Sequence, residues 1–137
     1  MKLKYIISII TLFLGANAFS AEYSIITHPS NATNSISAAD AKSILVGALN
    51  RWETGSAVRL AVYKGGDFNE SVIKAITGRS GSQFKRAWKK LIFTGKGIAP
   101  REQGDVESMV SFVMENENSF GYVPVGEEGG AKVLIVK

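Results

Sequence analysis

The sequence contains no cysteine and only one histidine, His28, among its 137 residues. Without cysteine the chain can form no disulfide, no thiolate metal site and no cysteine nucleophile, and no lipid can be attached to a cysteine. With one histidine, metal sites built on several histidines are excluded, and a catalytic triad would depend on His28 alone. The composition, 45% hydrophobic and 20% charged with 3 prolines, is typical of one globular domain rather than a disordered tail.

Charge of one sign is only mildly in excess, with 16 basic and 12 acidic residues giving a net charge of +4. This excess is too small to indicate a nucleic acid as partner unless it is focused, and we predict none. The charges are nevertheless segregated: residues 71–101 hold eight basic and no acidic residues, and residues 102–131 hold seven acidic and no basic residues. Two interpretations stay open, a solvated surface or docking to an acidic partner or the acidic half of a second copy.

Long apolar runs are also missing. The most apolar run, residues 5–14, is ten residues long, half of the about 20 that a membrane-spanning helix needs. A basic start precedes it and Ala16-Asn17-Ala18 follows with an A-x-A cleavage pattern, which predicts a secretory signal peptide over residues 1–21, cleaved near 18–21. We therefore expect residues 22–137 to form one domain in the bacterial periplasm, without a stable membrane anchor. An N-terminal membrane anchor is the alternative.

The chain after the signal alternates between strand-like and helix-like patterns. Strands are predicted at residues 23–27, 58–63, 120–125 and 132–136. Helices are predicted at residues 38–49, 67–77, from Ser80 or Ser82 to 93, and 106–115, with Ser37, Asp67 and Asp105 as further N-caps and Gly78 as a C-terminal glycine. Strands that alternate with helices favour a central sheet covered by helices on both faces.

The third predicted helix has two distinct faces. Its apolar face carries Phe84, Ala87, Trp88, Leu91 and Ile92, and its basic residues lie opposite. Trp88 and Phe93, which lie on or beside the apolar face, are predicted to be core residues, as is Tyr122 in the strand at 120–125. The hydroxyl of Tyr122 would need a partner if buried.

Signs of catalysis are missing. HExxH, the nucleophile elbow and the P-loop do not occur, and Gly78-Arg79-Ser80-Gly81 only approaches the elbow pattern. His28, at a strand end, is predicted to be an ordinary surface or hydrogen-bonded histidine. Because no nucleophile–base pair stands out, we predict a protein that is not an enzyme, with no catalytic residue, no metal and no cofactor.

One stretch has the features of an anion site. The strand at 58–63 leads into Lys64-Gly65-Gly66-Asp67 at the start of a helix, where free backbone N–H groups approached through glycines can cradle an anion. Lys64 adds positive charge, whereas Asp67 and Glu70 would repel an anion, and an ordinary loop before a capped helix is the alternative interpretation. With donors from the polar loop at 30–35, the candidate anion-binding residues are Lys64, Gly65, Gly66, Asn69, Ser71, Ser30 and Asn31.

Several motifs along the chain resemble the short phosphate ABC transporter substrate-binding-like proteins. The matching stretches cover about 100 residues in order: the loop at 31–37, Leu45-Val46-Gly47, the W-x-x-G of Trp52-Glu53-Thr54-Gly55, residues 88–97 with Pro100, and Phe120-Gly121-Tyr122-Val123. Where full-length phosphate binders carry an R-x-x-G-S-G-T element, this chain has residues 64–71, with Lys64 matching the basic position by type and Ser71 standing where a ligand hydroxyl would.

The resemblance implies an α/β fold, a single lobe of the type II periplasmic-binding-protein kind, with a mixed sheet of about four strands flanked by about four helices. It also implies a ligand held at helix N-termini facing a cleft. The expected function is a periplasmic solute-binding module for phosphate or another small oxyanion, with a second lobe supplied by a homodimer or a partner protein. The alternative is a ligand-free interaction or adaptor protein of the cell envelope built on the same lobe.

Overall fold

The computed structural model describes residues 22–137, so the predicted signal peptide lies outside the described residues. Within this range no helix is both long enough and apolar enough to span a membrane. The elements in chain order are β1 (Tyr23–Thr27), β2 (Ser35–Ile36), α1 (Ala38–Leu45), β3 (Arg59–Tyr63), α2 (Asp67–Thr77), α3 (Gly81–Phe93), β4 (Arg101–Gln103), α4 (Val106–Glu115), β5 (Ser119–Pro124), β6 (Lys132–Val133) and β7 (Ile135–Val136).

The main sheet is mixed and has five strands in the order β4-β3-β5-β1-β6. Strand β3 runs parallel to β4 and β5, whereas β1 runs antiparallel to β5 and β6. A separate two-stranded parallel ladder joins β2 to β7. This arrangement confirms the predicted α/β lobe with a mixed sheet and four helices, although the sheet has one strand more than predicted.

Strand β5 lies at the centre of the sheet and is buried on both of its faces. On one face, a Cβ at Gly121 would lie 2.8 Å from Met109 Sδ and 2.9 Å from Val113 Cγ2 of α4, so glycine allows the close approach of that helix. On the other face, the Tyr122 hydroxyl reaches Asn69 of α2. Helices therefore pack on both sides of this strand, as the alternating pattern predicts.

The strand predictions fail where the segments are very short. Residues 101–103 form β4 directly after Pro100, and Ser35 and Ile36 form β2 next to the predicted loop; neither strand is long enough to show a period of two. The predicted strand at 132–136 is divided at buried Leu134 into β6 and β7, which join different sheets. These pairings depend on tertiary contacts that a segment of two or three residues does not encode.

Helix ends follow the predicted caps with two corrections. The predicted helix at 38–49 ends at Leu45, because Gly47 adopts a φ of +79° and turns the chain away. Asp67 is the first residue of α2 and not its cap; the N-cap is Gly66, which makes no side-chain cap bond. The side chains of Ser37, Ser80 and Asp105 do cap α1, α3 and α4, and Gly78 ends α2 in the left-handed conformation.

The core prediction is confirmed for Trp88 and Tyr122 and wrong for Phe93. Trp88 is buried under Gly47, and its indole N–H donates to the Leu45 carbonyl at 2.8 Å. Phe93 is the last residue of α3, five positions after Trp88, and its side chain is 92% exposed. Five helical positions correspond to about 140° of rotation, which carries Phe93 away from the core-facing side.

Substitution of Gly47 by alanine tests the contact between α1 and α3. A Cβ there would lie 2.8 Å from Leu91 Cδ1 and 3.0 Å from Trp88 Cη2, whereas a Cβ at Gly55 (φ +89°) would meet nothing within 4 Å. Both Gly47→Ala and Gly55→Ala incur the left-handed penalty of about 1–2 kcal/mol, and Gly47→Ala adds about 1–3 kcal/mol of overpacking. Urea unfolding measures both; equal losses of stability in the two variants would contradict this packing.

Candidate functional site

The candidate site lies where β3 ends and α2 begins. The Lys64 N–H donates to the Gln103 carbonyl of β4 at 3.0 Å, and this bond holds the chain to the sheet before it turns. Gly66 then adopts a φ of 101°, which favours glycine, and directs the chain into α2. A Cβ at Gly65 or Gly66 would meet nothing within 4 Å, so the backbone of both glycines is open to solvent.

Helix α2 differs from the other helices in its first turn. In α1, α3 and α4 a serine or aspartate side chain accepts a bond from a backbone N–H of the first turn, but Gly66 has no side chain to do so. The Glu70 N–H is bonded to the Gly66 carbonyl at 3.0 Å, which leaves the N–H groups of Asp67, Phe68 and Asn69 as the free donors of the helix start. These donors, together with the positive end of the helix dipole, favour a negative charge outside the helix.

One of the two acidic residues that would repel an anion is held elsewhere. Glu70 Oε2 accepts a bond from the Gly81 N–H at 2.9 Å, at the start of α3. That start is also closed by the capping box of Ser80 and Gln83. The carboxylate of Glu70 therefore caps the first turn of α3, although Glu70, like Asp67, remains exposed at the start of α2.

A second lysine reaches the site from α3. Lys85 Nζ donates to the Lys64 carbonyl at 2.9 Å, which places its ammonium group beside the glycine turn. Lys64 itself is exposed. Lys85 is not among the residues predicted for this site, because a separation of 21 residues leaves no local spacing to connect the two lysines and the basic run at 71–101 does not single it out. We define the α2 amino terminus as Lys64, Gly65, Gly66, the first-turn N–H groups of α2 and Lys85. Its two ammonium groups face two nearby carboxylates, those of Asp67 and Glu70, and the Glu70 carboxylate is bonded to the start of α3.

Two predicted donors occupy less accessible positions. Asn69 is buried, and its Oδ1 accepts the hydroxyl proton of Tyr122 at 2.6 Å, so this side chain joins α2 to β5. Ser71 is partly buried and lies one turn further along α2 than Asp67. The glycine turn and the two lysines therefore form the accessible part of the predicted site.

Aromatic side chains pack together next to the glycine turn. Tyr63 packs edge-on against both Phe68 and Tyr122, with ring centroids 5.7 Å and 5.3 Å away, and its hydroxyl donates to the Tyr122 carbonyl at 2.8 Å. Burial raises the pKa of both tyrosine hydroxyls, and Glu127 and Asp105 raise the pKa of Tyr63 further. Both hydroxyls therefore stay protonated as hydrogen-bond donors at neutral pH.

Ser30 and Asn31 lie at the opposite end of the sheet from Lys64. Because β1 is antiparallel to β5 and β5 is parallel to β3, the loop after Thr27 is at the edge where β3 starts. The four residue steps of β3 separate the two ends by about 13 Å. The structure does not bring these two predicted residues together with the α2 amino terminus.

At that opposite end the polar groups bond to each other. Asn31 Nδ2 donates to Thr27 Oγ1 at 2.9 Å, and Thr27 Oγ1 donates to the Ser119 carbonyl at 2.6 Å. Ser30 Oγ lies 2.7 Å from His28 Nδ1, which also accepts the Ser30 N–H. These bonds fix the loop after β1 to the sheet, a structural role that the composition of residues 30–35 does not reveal.

No other arrangement in the described part of the chain forms a recognisable chemical centre. Between residues 22 and 137, no cluster of three or more His, Asp or Glu side chains is placed to hold a metal ion. A groove of about 600 Å³ lies at the edge where β3 starts, between Asn50, Leu60 and Pro100, and it contains none of the predicted site residues.

Comparison with known proteins shows the fold. No protein-family model and no curated protein matches the sequence. The solved structures to which the chain is similar include an ABC-type phosphate transport receptor from Vibrio cholerae (TM-score 0.56, 11% identity), a candidate phosphate ABC transporter substrate-binding protein with bound phosphate from Clostridium perfringens (0.63, 16%) and a candidate phosphate-binding protein from Planctomyces limnophilus (0.63, 11%).

These similarities cover 84%, 84% and 85% of this chain but only 46%, 44% and 41% of the respective solved chains. The chain thus spans less than half the length of the proteins it resembles. The predicted resemblance to phosphate-binding transport proteins is confirmed at the level of the fold, as a single lobe.

The buried tyrosines predict a loss of stability in alkali. In the unfolded chain each tyrosine loses its proton near pH 10, whereas Tyr63 and Tyr122 keep theirs in the folded state because burial raises their pKa. The free energy of unfolding therefore does not depend on these tyrosines below pH 10. Above pH 10 it falls, by about 1.4 kcal/mol per tyrosine at pH 11.

Urea unfolding of Tyr63→Phe and Tyr122→Phe at pH 8 to 11 measures this effect. In each variant, the free energy of unfolding should fall between pH 8 and 11 by about half as much as in the wild type, whatever the stability of the variant at pH 8. Phe120→Leu changes a buried aromatic side chain that has no hydroxyl and should keep the full decrease. An undiminished decrease in both tyrosine variants would contradict the assignment.

Proposed function

We propose that this protein is a solute-binding module of the bacterial periplasm, which binds phosphate or another small oxyanion at the α2 amino terminus. The observation that carries the proposal is the open first turn of α2, approached through Gly65 and Gly66 and flanked by two lysines, on a lobe of this fold. The proposal includes export through the signal peptide predicted for residues 1–21.

The chemistry of the α2 amino terminus suits a tetrahedral oxyanion. Backbone N–H groups supply directed donors, and Lys64 and Lys85 supply positive charge without fixed geometry. The glycines let the oxyanion approach the backbone closely, since no side chain projects from positions 65 and 66. The negative charge of Asp67 opposes anion binding, and the site is exposed to water. For both reasons a single lobe should bind its ligand weakly.

The similar structures support the choice of ligand class. One of them was solved with bound phosphate, and all three are named for phosphate transport or binding. None is named as an enzyme, in keeping with a binding role for this chain. We infer that a second copy or a partner protein covers the exposed site and excludes water, which would strengthen each hydrogen bond.

Calorimetric titration with phosphate, with sulfate as a second oxyanion, tests the proposal. Lys64→Gln and Lys85→Gln should each weaken binding about two- to fivefold, and Asp67→Asn should strengthen it by a similar factor, because each changes one exposed charge near a helix terminus. Ser71→Ala should also weaken binding if its hydroxyl contacts the ligand. Ser30→Ala is the matched control at the opposite end of the sheet and should leave the affinity unchanged.

A flat titration up to millimolar phosphate and sulfate would mean a binding free energy weaker than about −4 kcal/mol and would contradict the proposal. The ligand-free adaptor would then account better for the lobe. Binding that Ser30→Ala weakens and Lys64→Gln does not would place the anion elsewhere.

A further inference from the structure

The outward face of α3 is basic and ends in an aromatic residue. Lys85, Arg86, Lys89, Lys90 and Phe93 follow one another at helical spacing, and all five are exposed. Buried Trp88 lies on the side that packs against α1. No acidic residue occurs between residues 71 and 101, so nothing in that segment neutralises this face.

The end of this face exposes large apolar side chains. Phe93 is 92% exposed and Ile92 is 43% exposed. Lys89, Lys90, Ile92 and Phe93 line one shallow concavity of about 540 Å³, so lysine and apolar side chains share a single surface. We name these four residues, Lys89, Lys90, Ile92 and Phe93, the α3 tip.

The α3 tip is both positively charged and apolar, and one kind of binding partner suits both properties. Transfer of Phe93 and Ile92 out of water is favourable, and the lysines are stabilised near negative charge. A nucleic acid or a purely acidic peptide would engage the lysines but would leave the protruding apolar side chains in water. A bilayer of anionic phospholipid satisfies both, because headgroup phosphates meet the lysines and the interface beneath accepts the apolar side chains.

We propose that the α3 tip docks this protein reversibly on the surface of an anionic phospholipid bilayer, with Phe93 and Ile92 entering the interface and the lysines at the headgroups. This contact is independent of the oxyanion site, because Lys85, whose ammonium group faces the glycine turn, is not part of the α3 tip. It needs no membrane-spanning segment.

Substitution of Phe93 by tryptophan gives a local readout in the full chain. Trp52 and Trp88 are buried, so subtraction of the wild-type spectrum isolates the emission of the new side chain. With vesicles of phosphatidylglycerol and phosphatidylcholine we expect a shift to shorter wavelength and quenching by lipids brominated on the acyl chains. Pure phosphatidylcholine vesicles, or 1 M salt, should abolish both signals, since the Debye length is then about 3 Å.

This readout is specific for position 93. If another part of the chain held the protein on vesicles, the indole introduced by Phe93→Trp would keep the emission of a side chain in water, and the proposal would be wrong. A shift that depends on protein concentration without vesicles would overturn it in favour of self-association, and a shift on adding polyglutamate would do so in favour of an acidic protein partner.

Paired lysine variants test the electrostatic part in the Phe93→Trp background. Lys89→Gln combined with Lys90→Gln should weaken binding to anionic vesicles about 25-fold, from about fivefold for each lysine at a membrane surface. Lys42→Gln combined with Lys74→Gln removes the same charge from exposed positions on α1 and α2 and should weaken it less than about threefold, because these lysines lie outside the α3 tip. Equal effects of the two pairs would show attraction by net charge alone and would overturn docking through the α3 tip.

Discussion

The buried hydroxyl of Tyr122 is the constraint on which the geometry of this lobe depends. Tyr122 lies in the central strand, and its hydroxyl needs an acceptor, which Asn69 Oδ1 provides at 2.6 Å. Asn69 is the third residue of α2, so this bond fixes the first turn of the helix over the end of the sheet. The glycine turn before α2 then has to bring the chain from β3 to that point, and it leaves the first-turn N–H groups without a side-chain cap.

The starts of α2 and α3 differ in how their first-turn N–H groups are capped. The start of α3 receives a capping box and the carboxylate of Glu70, which itself comes from the first turn of α2. The start of α2 receives no side-chain cap, and Lys85 of α3 comes to the turn before it. Glu70 of α2 thus contributes a carboxylate to the start of α3, and Lys85 of α3 contributes an ammonium group beside the start of α2. The first-turn N–H groups of α3 are therefore capped by side chains, whereas those of α2 are available to an external anion.

Much of the fold could be predicted from sequence because the helices carry their own end signals. Ser37, Asp105 and Gly78 act where the capping rules place them, and three of the four predicted strands match single strands. The rest depends on contacts between distant residues. The Lys85 bond to Lys64 and the antiparallel direction of β1, which separates Ser30 and Asn31 from the glycine turn, follow from the topology, and no local pattern encodes them.

The most direct test of the account is a phosphate titration followed by amide NMR. If an oxyanion binds at the open start of α2, the amide signals of Gly66, Asp67 and Phe68 should shift together and saturate. Those of Asn31 and Thr33, at the other end of the sheet, should stay in place. Saturable shifts confined to the loop after β1, or to the start of α3, would contradict the assignment of the site to α2.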